Sequence, residues 1–289
     1  MVKSADRTDA AYDARALAAF YDAYGEREWQ RLEESLAGRI SFAIHLRLLE
    51  AEALAGMRVA DLGCGPGRFA IELLRAEARV TLGDISPVQL AAAEARIREA
   101  GLWKGVEASH VLDICDLSRF ADGTFDAVAC FGGALSYARE HHLAALAEVV
   151  RVLRPGGQLL LSVMSLYGTL TLAGTLDAVD FLERMEAHVP MSAVAGDEGV
   201  ALTVPGSSEF HQPMALFSAA YLQAALGSVG LRHDRIAAAN PISRPGLALE
   251  RVSSSAEASQ RLLELELAIC EQHGVADSGT HIVVTATKV

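Results

Sequence analysis

The segment Val59-Ala60-Asp61-Leu62-Gly63-Cys64-Gly65-Pro66-Gly67-Arg68-Phe69 reads as a buried strand running into a glycine-rich turn, after which Phe69, Ala70, Leu73 and Leu74 fall on one face of a helix. Glycines at such a turn let the backbone come close to a ligand, and the first turn of the helix offers unpaired N–H groups to an anion. The spacing narrows the choice of ligand. A dinucleotide fingerprint, Gly-x-Gly-x-x-Gly, would put its third glycine at position 68, which is Arg68 here.

Outward from the turn, short apolar runs alternate with helical stretches. Val80–Leu82, Val106–Leu112, Phe125–Phe131 and Gln158–Met164 are strand candidates beside Val59–Leu62, and helical spacing begins at Gly67, Pro87 and Glu140. Such alternation predicts βαβ units and a parallel sheet covered by helices on both faces. Upstream, Phe20, Tyr24, Trp29, Leu32, Leu36, Ile40 and Ile44 recur at helical steps, an amphipathic helical preface over residues 12–55. Downstream the rhythm breaks over residues 165–213, which hold a helix candidate at Thr175–Ala187 and a Gly- and Pro-punctuated loop. It resumes with a helix over Ser218–Val229, a strand over Leu231–Ala238, a helix over Ala256–His273 and a terminal strand over His281–Lys288. Asn240–Ser255, rich in Ser, Pro and Arg, reads as a surface loop.

The 289 residues, 51% apolar and 21% charged, suffice for a packed core and carry no signature of disorder. With 25 basic against 37 acidic side chains the formal net charge is -12, which argues against a nucleic-acid partner. The four cysteines, Cys64, Cys115, Cys130 and Cys270, form no Cys-x-x-Cys pair and have no histidine at metal-ligand spacing. They read as buried thiols of a reducing compartment, with no metal site and no disulfide framework. Met1–Arg15 lacks the apolar core of a signal peptide, and no run approaches the roughly 18 apolar residues of a membrane span. The expectation is a cytoplasmic protein that works on neither membranes nor nucleic acid; a homodimer is compatible with the chain.

Asp61-x-Gly63-x-Gly65-x-Gly67, with an acid two residues before the first glycine, resembles the first motif of class I S-adenosylmethionine-dependent methyltransferases. Four more features stand in that family's order. Asp84 ends the second strand, about 20 residues after the turn, where a carboxylate can accept both ribose hydroxyls. Asp113-Ile114 comes after the third strand like the family's adenine-reading acid. Phe125-Asp126-Ala127-Val128-Ala129-Cys130-Phe131-Gly132 is similar to its fourth-strand motif, and Leu153-Arg154-Pro155-Gly156-Gly157 to the turn before its fifth strand.

The resemblance implies S-adenosylmethionine as cofactor, with Asp61, Gly63, Cys64 and Gly65 at its methionine end, Asp84 on the ribose and Ile85 against the adenine. It also implies that Asp113 accepts from the adenine amino group, that the Ile114 N–H meets a ring nitrogen, and that the Phe131 carbonyl lies near the ammonium group. For the ligand's carboxylate the expected cationic helper is Arg39, in the preface helix; the competing reading is a solvated helix face. Asp84 has a competing reading too, as a helix N-cap before Ser86 and Pro87. Cys64, in the turn, reads as a small filler and not as a nucleophile.

Methyl transfer from a sulfonium needs alignment and exclusion of water more than it needs a base. Of the nine histidines, His211, in Glu209-Phe210-His211-Gln212-Pro213, is the candidate base or acceptor-positioning group, with an ordinary loop histidine as the bland alternative. Tyr21 and Tyr24 are candidates to shield the cofactor, whereas Trp29 and Phe181 are better read as core. The expected architecture is α/β, a Rossmann-like doubly wound, mostly parallel seven-stranded sheet with a helical cap. Its divisions are a lid over 1–55, a cofactor-binding core over 56–164, a cap insertion over 165–213 and the rest of the sheet over 214–289. The expected activity is methyl transfer to O or N of a small, partly apolar metabolite. The rivals are a nicotinamide-dependent oxidoreductase, disfavoured by Arg68 and by the lack of a Tyr-x-x-x-Lys pair, and a non-catalytic regulator that binds the same cofactor.

Overall fold

The structure, a computed structural model, describes residues 11–50, 52–173, 201–204, 212–244 and 249–289. Three helices come first: α1 (Ala14–Tyr24), α2 (Arg27–Gln30) and α3 (Leu36–Glu50). The Asp13 carboxylate caps α1 by accepting from the Arg15 and Ala16 N–H groups, and the helix stops at Gly25, whose φ of 56° suits a residue without Cβ. Next along the chain are β1 (Arg58–Leu62), α4 (Arg68–Arg75), β2 (Arg79–Asp84), α5 (Pro87–Glu99), β3 (Val106–Val111), β4 (Phe125–Cys130), α6 (Ala134–Tyr137), α7 (His142–Val152) and β5 (Leu153–Met164). The remainder is α8 (Leu166–Ala173), β6 (Ala201–Val204), β7 (Met214–Phe217), α9 (Ala219–Ser228), β8 (Leu231–Ala239), α10 (Glu250–Ser253), α11 (Ala256–Ile269) and β9 (His281–Lys288).

Seven strands form one sheet in the order β3-β2-β1-β4-β5-β9-β8. Neighbours among β1 to β5 pair in parallel, and β9 lies antiparallel between β5 and β8. The α/β doubly wound architecture expected from the alternation is therefore present. Strand order reverses between β1 and β4, and this switch point opens a crevice at the C-terminal ends of the strands. Because helices cover both faces, β1 is apolar on both: Val59, Ala60 and Leu62 are fully buried. Val59, Val80 and Leu160 face α3, α4 and α5, while Ala60, Leu62 and Leu161 face α7 and α9. A third cluster, Tyr137, Leu166, Met214 and Leu216, packs with Leu17 and Tyr21 and brings α1 to the C-terminal edge of the sheet.

Several sequence expectations shift in detail. Thr175–Ala187 lies outside the described residues. Met214–Phe217 forms a strand that pairs with β6 in a separate two-stranded sheet, a stretch the sequence reading left unassigned ahead of the helix at Ser218. Asn240–Ser255 is not simply a surface loop. Asn240 and Ser243 are buried, because Glu266 of α11 reaches in to accept from the Ser243 N–H at 2.5 Å, and the Asn240 amide donates to the Ala37 carbonyl at 2.7 Å. The free edges of the large sheet, β3 and β8, carry exposed and ion-paired side chains, among them Glu107, Arg232 and Asp234. Among the described residues no helix is long and apolar enough to cross a membrane.

Candidate active site

The turn after β1 is fixed by backbone. The Gly63 and Cys64 N–H groups both donate to the Gly83 carbonyl, at 2.8 and 3.1 Å, which locks the turn to the end of β2. Gly63 has φ 72°, and a Cβ there would lie 2.6 Å from that of Ala134, so position 63 excludes any side chain on both counts. The Gly65 N–H donates to Asp84 Oδ2 at 2.7 Å, and the Ser86 N–H to Asp84 Oδ1 at 2.8 Å. Asp84 is thus not the helix cap. That role belongs to Ser86, whose Oγ accepts from the Gln89 N–H at 3.1 Å and donates to Asp22 of α1 at 2.5 Å.

These pieces border a cavity of about 850 Å³, its open mouth included. Gly63, Cys64, Gly65, Asp84 and Ile85 line it on the β1 and β2 side; Asp113, Ile114 and Phe131 continue the wall. The structure brings these eight candidates together. Asp61 stands just beneath them, 1% exposed, with its Oδ2 buried and without a partner among the described residues.

Burial dominates the electrostatics. It pushes the Asp61 carboxyl up to about 7, with Asp84 adding repulsion. It pushes Asp84 up to about 6 even though the Ser86 and Gly65 N–H groups favour its charged form. The Cys64 thiol is raised well above its ordinary value by burial and by both carboxylates, so it stays protonated and is no nucleophile. Asp113 accepts from the Cys115 N–H at 2.8 Å and from the Tyr12 hydroxyl. Burial, and next the Asp113 charge, hold that phenol protonated.

The preface helices supply the opposite wall, and here the structure departs from the sequence reading. Arg39 is exposed and turns back to donate to the Glu33 and Glu34 carbonyls, at 2.9 and 3.3 Å. The guanidinium in the wall belongs to Arg31, paired with Glu28 at 2.6 Å, and a Cβ on Gly132 would lie 3.4 Å from its Nη2. The i, i+3 spacing of Glu28 and Arg31 among the tyrosines was the available signal. Tyr21 lines the cavity and donates to the hydroxyl of Tyr137, another lining residue that sequence reasoning passed over; Tyr24 is not in the wall. Trp29 is sandwiched by two guanidinium groups, Arg68 at 3.6 Å and Arg96 at 4.4 Å from the ring centre. The residue that replaces the dinucleotide glycine therefore fastens α2 to α4. His211 lies outside the described residues. No cluster of His, Cys, Asp and Glu able to hold a metal occurs among the described residues.

Comparison with known proteins agrees with this geometry. Residues 59–157 match a methyltransferase domain family. The ubiquinone biosynthesis O-methyltransferase of Xanthomonas oryzae pv. oryzae is 35% identical over 113 residues, which is 39% of this chain and 45% of that one, so the match spans less than half the relative's length. Among solved structures, magnesium protoporphyrin IX methyltransferase from Synechocystis PCC 6803 with bound S-adenosylmethionine superposes with a TM-score of 0.56 at 16% identity, covering 98% and 100% of the two chains. The [4+2]-cyclase SpnF superposes with a TM-score of 0.61 at 20% identity, covering 97% of each chain. Residues 59–157 of this chain are thus similar to a methyltransferase domain, in line with the motifs that resemble class I S-adenosylmethionine-dependent methyltransferases.

Proposed function

We propose that the chain transfers a methyl group from S-adenosylmethionine to a hydroxyl or amine of a small, partly apolar metabolite. Asp84 carries the reading. Its carboxylate is held by two backbone N–H groups in the cavity wall, and an ionised carboxylate has about four acceptor positions, which leaves room for the ribose hydroxyls.

The residues present fit that cofactor. Asp61 Oδ2 is an orphaned buried acceptor near the glycine turn, suited to a cationic group. Glu28 and Arg31 offer one charge of each sign to a zwitterionic amino-acid end. Gly63, Cys64 and Gly65 would take the methionine portion, with the Phe131 carbonyl near the ammonium group; Ile85 and Ile114 would enclose the adenine and Asp113 would accept from its amino group. When bound, the cofactor supplies a methyl group already activated on a sulfonium. The chain's own work is then to align the acceptor and to keep the site dry, which Tyr21, Tyr137 and Leu17 do by closing the cavity from the lid side.

The test is binding of S-adenosylmethionine by calorimetry, then S-adenosylhomocysteine release against a panel of phenols and amines with mass analysis of the products. Binding with turnover supports the reading. A chain that binds NADH but not S-adenosylmethionine overturns it, and a chain that binds the cofactor yet never yields the thioether is a regulator. Product masses matter because a chain of the same fold is named a cyclase.

A further inference from the structure

Tyr12 borders the cavity just ahead of α1 and has no part in that scheme. Behind it α1 runs along the cavity as a strap. Its 11 residues span roughly 16 Å at about 1.5 Å per residue, and Leu17 and Tyr21, one turn apart, face the cavity. The two ends of the strap are held differently. At the C-terminal end the bonds come from the start of α5: Asp22 accepts from the Ser86 hydroxyl at 2.5 Å and the Val88 N–H at 3.3 Å, and the Gln89 amide donates to the Tyr21 and Gly25 carbonyls at 3.1 and 2.9 Å.

At the N-terminal end the ties gather on Tyr12. Its N–H donates to Glu140 Oε1 at 2.6 Å, its ring stands edge-on to His141 with centres 5.7 Å apart, and its hydroxyl meets the Asp113 carboxylate and the Cys115 thiol. Asp113 is also the acceptor for the adenine amino group in the proposed function. Of the roughly four acceptor positions on a carboxylate, the Cys115 N–H and thiol occupy two and the phenol a third. Cys115 is not part of the cavity wall, whereas Tyr12 is, so the phenol stands on the side from which a ligand comes to Asp113. Burial, with the Asp113 charge next, keeps that phenol protonated, and at neutral pH it always has a proton to offer.

We propose that Tyr12 is an internal placeholder: in the ligand-free chain its hydroxyl occupies Asp113 in place of the adenine amino group, and an adenosyl ligand enters by displacing it while α5 keeps the Tyr21 end of α1 in position. The inference rests on the proposed function above. A ligand donor that replaces a donor already present gains little at that carboxylate, so the phenol lowers the affinity for adenosyl ligands and in return holds the strap down over the empty cavity. It also selects. A molecule that brings no N–H to this point would leave Asp113 short of a donor on pushing the phenol aside, and the strap stays shut against it.

Tyr12→Phe keeps the ring beside His141 and removes the hydroxyl alone. Calorimetry of the full chain with S-adenosylhomocysteine, and separately with adenosine, should show both ligands bound about fivefold more tightly by Tyr12→Phe than by the unaltered chain. In the unaltered chain, chymotryptic cleavage after Tyr12, identified by mass, should speed up about threefold once S-adenosylhomocysteine saturates the site. Equal or weaker binding of S-adenosylhomocysteine by Tyr12→Phe, or protection of Tyr12 from cleavage by that ligand, overturns the proposal and leaves the methyl-transfer reading intact. If S-adenosylhomocysteine binds neither form while adenosine binds Tyr12→Phe more tightly, the placeholder stands and the methyl-transfer reading falls. If neither ligand binds either form, both fall.

Discussion

The two walls of the cavity are built differently. On the sheet side each polar group is tied to backbone: Asp84 to the Gly65 and Ser86 N–H groups, Asp113 to that of Cys115, the turn itself to the Gly83 carbonyl. On the helical side ties between side chains, Arg31 to Glu28 and Tyr21 to Tyr137, carry the wall groups, while Arg68 and Gln89 anchor the helices through the Trp29, Tyr21 and Gly25 carbonyls. Groups fixed by strand ends are in place before a ligand arrives, whereas groups held by rotamer-rich side chains of the helical wall cost more entropy to order. The difference assigns affinity mainly to the first wall and ligand entry to the second.

The strongest way to break this contrast is Asp84→Ala, which should weaken S-adenosylmethionine binding about 100-fold or more, since hydrogen bonds to a charged group contribute about 1.5–3 kcal/mol each. A loss under fivefold by calorimetry would put the two walls on a par. Next comes Arg31→Met, expected to cost about 10- to 30-fold in the same measurement, against less than twofold for the exposed Arg39→Met. A third arm uses pH. Asp61, at about 7, and Asp84, at about 6, both lie above the ordinary carboxylate range, so the folded chain holds protons that the unfolded chain has already released. Ligand-free stability should therefore fall as pH rises from about 4 to 7, and affinity for the cationic cofactor should rise roughly tenfold from pH 6 to 8. Asp61→Asn should flatten both curves, with melting and calorimetry at a series of pH values as the readout. The smallest effect on affinity is expected at the latch: Arg68→Met removes a cation–π contact of about 0.5–1 kcal/mol together with its bonds to the Trp29 carbonyl and Glu33, ties that hold the helices and not the ligand, so affinity should drop only about threefold while chymotryptic cleavage of the preface helices speeds up.

The sheet wall was legible in the amino-acid order because its determinants are local. A strand period, a glycine turn and an acid at the next strand's end specify where Gly63, Gly65 and Asp84 go whatever packs above them. Arg31 and Arg39 were not separable by that reasoning. Both sit in a helical preface, and which guanidinium points inward depends on the break at Gly25 and on the loop between α2 and α3. Tyr12 and Asp113 lie far apart in the chain and meet because α5 pins α1 beside the cavity. Residues 240–244 looked solvent-facing by composition, yet Glu266 satisfies N–H groups there, those of Ile242 and Ser243, from another helix.

The charged rims of the sheet have a consequence of their own. A foreign strand seeking to zip onto β3 would have to disturb Glu107, which already bridges Arg58 and Arg79, and one approaching β8 would meet Arg232 clasped to Asp234. Stripping water from such ion pairs is unfavourable, so lateral growth into fibrils or stacked ribbons is discouraged at both ends of an otherwise very greasy seven-ply layer.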